Sequence, residues 1–147
     1  MSEPVKISVD REEKRIQVND QVEYIVLPLG DQTFMKELLE LVQSFSGMES
    51  TYQEGFDKIN AMPTSTQAEQ VDKCAAACKF NADVCRELKE KVDGLFKDEV
   101  CRKVFGPGIP GLYEFSQFFS QLAPIVKKAQ EERTAHVRKY IDRYHKG

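Results

Sequence analysis

Hydrophobic positions in this chain change their period near residue 28. Before it, Val5, Ile7 and Val9 alternate with polar residues, Ile16 and Val18 do the same, and Val22–Leu27 is a denser β-prone run. Period-two alternation of this kind predicts three short strands. Asp10–Glu13 and Asn19–Gln21 are the expected turns, with Asn19-Asp20 suited to positive φ in a tight hairpin. A meander this short is marginal alone, so its apolar face requires helices to cover it.

After Pro28 the period is that of a helix. Gly30-Asp31 marks the switch, Asp31 is the expected N-cap, and Phe34, Leu38, Leu41, Val42, Phe45, Met48, Tyr52, Phe56 and Ile59 form one stripe. Gly47 and Gly55 each weaken that helix by about 1 kcal/mol relative to Ala, which predicts a bend or break near Ser46-Gly47. Pro63–Thr66 is the next punctuation, with Thr64, Ser65 or Thr66 capping a helix that runs to about Phe96. Val71, Cys74, Ala75, Cys78, Ala82, Cys85, Leu88 and Val92 lie on one side of it, and their small volumes suggest close packing.

A short helix is expected from about Lys97 to Phe105, closed by Gly106 in a left-handed conformation and barred from continuing by Pro107. Beyond Gly111 a long final helix is predicted to about Tyr144, beginning with an aromatic band of Leu112, Phe115, Phe118, Phe119 and Leu122. Pro124 removes one backbone donor and predicts a kink near Ser120–Pro124. The expected fold is mainly α, a short N-terminal antiparallel β-meander followed by a bundle of long helices. The whole chain, residues 1–147, forms one domain, with residues 1–29 the β-prone element and 30–147 the helical bundle.

A chain of 147 residues and 16.8 kDa is long enough to bury a modest core. It offers no signal-peptide core and no apolar run of the roughly 20 residues that cross a bilayer, so an intracellular protein is expected. Its net charge of −3 is unevenly spread. Residues 1–60 carry six Lys/Arg against twelve Asp/Glu, and residues 124–147 seven against three. Cations at a helix C-terminus are favourable in themselves. They also suit docking on an acidic partner.

Chemistry finds little foothold. Cys74 and Cys78 are one helical turn apart, Cys85 lies further along the same side, and Cys101 belongs to the next helix. No knuckle spacing or nearby histidine makes them a zinc site, and four-residue spacing on an intact helix disfavours a disulfide. They read as small buried hydrophobes. His136 and His145 sit in the polar last helix, far from a nucleophile, and no phosphate-binding or zinc-protease motif is present. No catalytic, metal or cofactor residue is expected. Lys127, Lys128, Arg133, Arg138, Lys139, Arg143 and Lys146 could follow a nucleic-acid backbone, but Glu131, Glu132 and Asp142 interrupt them and the rest of the chain is acidic. The aromatic band should be mostly core; any part left exposed would be a groove for a partner's amphipathic helix.

The pattern of Tyr24–Asp31, a long helical pair, Val104-Phe-Gly-x-Gly108 and Leu112-Tyr-x-Phe-x-x-Phe-Phe-x-x-Leu122 resembles the small helical tail assembly chaperones of long-tailed phages and of prophages in Gram-positive bacteria. The resemblance implies a non-enzymatic protein in the cytoplasm of the bacterial host during phage assembly. Such a protein binds the tape-measure protein, with the tail tube protein a further candidate partner, self-associates along the tape measure, and is absent from the finished virion. Phe115, Phe118, Phe119 and Leu122 then border the apolar contact, and Lys127, Lys128, Arg133 and Arg138 steer the partner. The alternative expectation is a small DNA-binding or regulatory phage protein that uses the basic C-terminal helix.

Overall fold

A computed structural model describes residues 3–145, apart from the side chains of Glu49, Tyr144 and His145. Lys146, counted above with the basic end, lies outside them, as do those two C-terminal side chains. Two strands, β1 (Lys14–Gln17) and β2 (Tyr24–Leu27), form an antiparallel hairpin in which Ile16 faces Ile25. Six helices follow: α1 (Gln32–Ser46), α2 (Met48–Thr51), α3 (Gln53–Asn60), α4 (Gln67–Phe96), α5 (Val100–Phe105) and α6 (Leu112–His145). The fold is mainly helical with a small N-terminal sheet, as the pattern predicts.

The expected first strand does not form. Residues 3–13 lie outside any strand, and Val5, Ile7 and Val9 are open to solvent. The reason lies at Glu12. Its carbonyl accepts from the Gly30 N–H at 2.8 Å and its carboxylate pairs with Arg133 at 2.9 Å, so the chain runs on past β1 instead of turning at Asp10–Glu13.

Asn19 organises the hairpin loop. Its Oδ1 accepts from the N–H groups of Gln21 and Glu23 at 3.0 and 3.2 Å, and its Nδ2 donates to the Lys103 carbonyl at 3.0 Å. Positive φ falls on Val22, at 59°, and not on Asn19-Asp20. A β-branched residue there is strained by about 1–2 kcal/mol, and the Asn19 bonds hold it in place.

Helix boundaries follow local chemistry. Asp31 accepts from Thr33 and Phe34 N–H groups, and Thr66 accepts from Glu69 three residues on, both N-caps as expected. Gly47 ends α1 at the predicted break, and a second break at Tyr52 divides the remainder into α2 and α3. Gly55 meets α4 closely. A Cβ there would lie 2.3 Å from the Phe80 ring, which packs edge-on against Phe56. Lys97 at φ 55° ends α4, and the turn to Glu99 shortens α5 relative to its expected start at Lys97. Gly106 has positive φ as predicted, but with ψ −167° it occupies an extended region open essentially to glycine alone, not the left-handed helical one. Helix α6 runs unbroken through Pro124, which is exposed together with Ser120, so the carbonyl that lost its donor lies on a solvated turn.

One core joins β2, α1, α5, the second half of α4 and the first half of α6. Phe115, Leu38, Val92, Val100 and Leu27 are each fully buried in it. Helix α5 is fastened to the hairpin by the Arg102–Glu23 ion pair at 3.0 Å and by Lys103, which donates to the Tyr24 carbonyl; Lys103 also pairs with Asp98 of the α4–α5 turn at 2.6 Å.

Two outcomes follow. Replacing Val22 with Asn, a residue that visits positive φ at little cost, should raise stability by up to about 1 kcal/mol in chemical denaturation, since Val22 buries little. The Lys103 ammonium holds the Asp98 carboxyl below its ordinary value of 3.8, and Arg102 does the same to Glu23, ordinarily 4.5. These depressed values contribute stability above the unfolded pKa values that is lost as pH falls through the folded ones. The Asp98→Asn variant should therefore be less stable than wild type at pH 7, and the gap should close on acidification below pH 3.8 in parallel urea titrations.

Candidate partner-binding grooves

The aromatic band of α6 is held by contacts within the chain. Phe115 packs on Phe105 with ring centroids 5.3 Å apart, Phe118 on Phe105 at 5.8 Å, and Phe119 on Phe45 at 4.9 Å. Phe115 is 0% exposed, Phe118 8%, Phe119 4% and Leu122 3%. These four side chains are core, and only the edges of Phe118, Phe119 and Leu122 border two open grooves. Phe115 lines neither.

The larger groove, about 760 Å³, lies between α1–α3 and α6. Its floor is Val42, Phe45, Met48, Phe56, Leu112, Phe119 and Ala123, and Ser46, Gln53, Asn60, Ser116 and Ser120 form its rim. It exists because the breaks at Gly47 and Tyr52 carry α3 toward α4, where Phe56 and Tyr52 meet Phe80, and so leave that flank of α6 uncovered. No lining side chain is titratable, so the groove supplies neither a general acid nor a general base. Apolar walls with neutral hydrogen-bonding side chains at the rim suit an apolar helix face or another largely uncharged segment.

The smaller groove, about 360 Å³, lies between the hairpin, α5 and α6. Ile16, Val18, Val104, Phe105, Phe118, Leu122 and Ile125 border it, and Glu114 is its one charged residue.

The four predicted basic residues differ in what their side chains meet. Lys127, Lys128 and Arg138 are exposed, with Lys127 and Arg138 eleven residues apart on the same side of α6. Arg133 instead spends its guanidinium on Glu12, holding the N-terminal segment to α6. Sequence reasoning missed the two grooves' other walls, α1–α3 and the hairpin. The stripe through Val42, Phe45 and Phe56 was the available signal, but which members of a stripe are covered is not readable from its period.

Cys74 and Cys78 are exposed, contrary to their expected burial: on this half of α4 the side that packs is the one carrying Phe80, which meets Tyr52 and Phe56. Cys85 and Cys101 are buried. Burial, with Asp93 close by, pushes the Cys101 thiol up to about 12. Among the described residues no group of three His, Cys, Asp or Glu side chains comes together to hold a metal ion. Among them, too, no helix is long and apolar enough to cross a membrane.

A thiol reagent at neutral pH should label Cys74 and Cys78 rapidly in the native protein and reach Cys85 and Cys101 only on unfolding, which intact-mass spectrometry with and without denaturant would read. In comparisons with known proteins, no protein family, curated protein or solved structure matches the chain.

Proposed function

We propose that this protein is a non-enzymatic assembly chaperone of the phage tail type, which binds an amphipathic helical segment of the tape-measure protein in the bacterial cytoplasm. The observation that carries the binding mode is the 760 Å³ groove between α1–α3 and α6, apolar at its floor, neutral at its rim and open to solvent. The identity of the partner rests on the resemblance of the Val104–Gly108 and Leu112–Leu122 segments. A tape-measure protein exposes long apolar helical faces until the tail tube encloses it, and a groove that buries such a face reversibly keeps it soluble. The exposed Lys127, Lys128 and Arg138 add a field that speeds encounter with an acidic stretch, while the apolar floor supplies most of the affinity.

Since Phe118 belongs to the core, a charge at that position would unfold the chain and says nothing about binding. Ser116 is the better probe, being exposed on the groove wall. The chain would be co-expressed with the protein of the longest neighbouring open reading frame and co-purified at low and high salt. A complex that survives high salt, keeps that protein soluble and is weakened about tenfold or more by Ser116→Trp, with melting unchanged, is the expected result. No complex, with the lone chain retaining nucleic acid at low salt and releasing it at high salt, would replace this reading with that of a DNA-binding regulator acting through α6.

A further inference from the structure

The N-terminal arm and the β-hairpin are each incomplete. Val5, Ile7 and Val9 are 94%, 86% and 78% exposed, three β-branched side chains at period two with nothing covering them. The hairpin, for its part, has an open edge. The Val18 N–H donates to the Glu23 carbonyl at 3.0 Å, and ladder pairs alternate, so Ile16 bonds across to Ile25 while the backbone groups of Arg15 and Gln17 point away from β2. Among the described residues no other strand pairs with that edge. Beside it lies the 360 Å³ groove bordered by Ile16, Val18, Phe118, Leu122 and Ile125.

The arm is poorly placed to close on its own hairpin. Glu12 is committed to Gly30 and Arg133, which leaves Asp10-Arg11 as the whole turn. A two-residue type I′ hairpin turn wants positive φ at both central residues, and Arg11 would occupy the second, where glycine is strongly preferred.

We propose that residues 4–9 of a second copy of this chain add to the free edge of β1 as a third, antiparallel strand. The pairing that sets Ser8 opposite Arg15 and Lys6 opposite Gln17 satisfies the outward backbone groups and avoids facing Lys6 with Arg15, as the register shifted by two would. It brings Ile7 beside Ile16 and Val5 beside Val18, on the side of the hairpin that faces α6, so these two aliphatic side chains of the arm close over the smaller groove. Pro4, without an N–H, marks the natural end of the added strand. Donor arm and acceptor edge occur on every copy, so the exchange builds either a closed pair or a row of copies. It uses neither the larger groove nor the basic residues of α6, and it stands whether or not a tape-measure protein is the partner.

Sedimentation of the isolated full-length chain across a concentration series, with hydrogen exchange at the amides of Arg15 and Gln17, tests this. Wild type should self-associate, and the two amides should exchange more slowly as concentration rises. Ile7→Glu alters only an exposed arm, so it should fold as wild type does yet associate about tenfold more weakly or worse and lose the amide protection. A wild type that stays monomeric at every concentration overturns the proposal, whether its two amides are unprotected or are covered by its own arm. Association that Ile7→Glu leaves unchanged overturns it equally.

Discussion

Burial of Phe115 on α6 is the constraint around which the molecule is arranged. Its ring meets Phe105 of α5 and Phe119 one turn further along α6, and Phe119 in turn meets Phe45 of α1. Removing a fully buried aromatic from such a cluster costs about 3–5 kcal/mol, a large share of what a domain of this size has to spare. The same contacts draw α5 under the hairpin, where Asn19 and Lys103 exchange polar bonds with neighbouring backbone carbonyls. Apolar packing thus sets the position of α6, and a few directional bonds set the position of the hairpin on it.

That arrangement is uneven along the long helices, and the unevenness creates the candidate binding surfaces. Helix α6 buries side chains only as far as Ala129, and α4 only from Val84 onward. Beyond those limits the helices are covered lightly: Phe80 of α4 meets Phe56 of α3, and Arg133 of α6 meets the N-terminal segment at Glu12. Grooves open where the core gives out, at the flank of α6 beyond α1–α3 and at the free edge of the hairpin. Neither offers paired titratable groups, and both offer aliphatic and aromatic edges. Both are suited to taking up a segment of polypeptide, the larger a helical face and the smaller a strand.

Much of the fold was legible because it depends on local chemistry. Asp31 and Thr66 cap because a short polar side chain before an apolar-periodic run satisfies the free N–H groups of a helix start. Gly47 and Gly106 end helices for reasons that travel with the residue. The candidate site was legible only in part. The period of Phe115, Phe118, Phe119 and Leu122 identified the packed face of α6, but a buried face and a docking face share the same period, and their difference depends on what other elements cover.

The amino-acid sequence by itself determined the order of elements, their caps and breaks, and the division between an acidic front and a basic end, because each of these depends on residues within a few positions of one another. Tertiary structure alone decided that the first alternating segment is left without a partner, since this follows from Glu12 meeting Gly30 and Arg133, the latter 121 positions away. It alone decided that Cys74 and Cys78 face solvent while Cys85 and Cys101 do not. Burial is set by long-range neighbours, and a periodic pattern states which side of a helix or strand is apolar without stating how much of its length finds a cover.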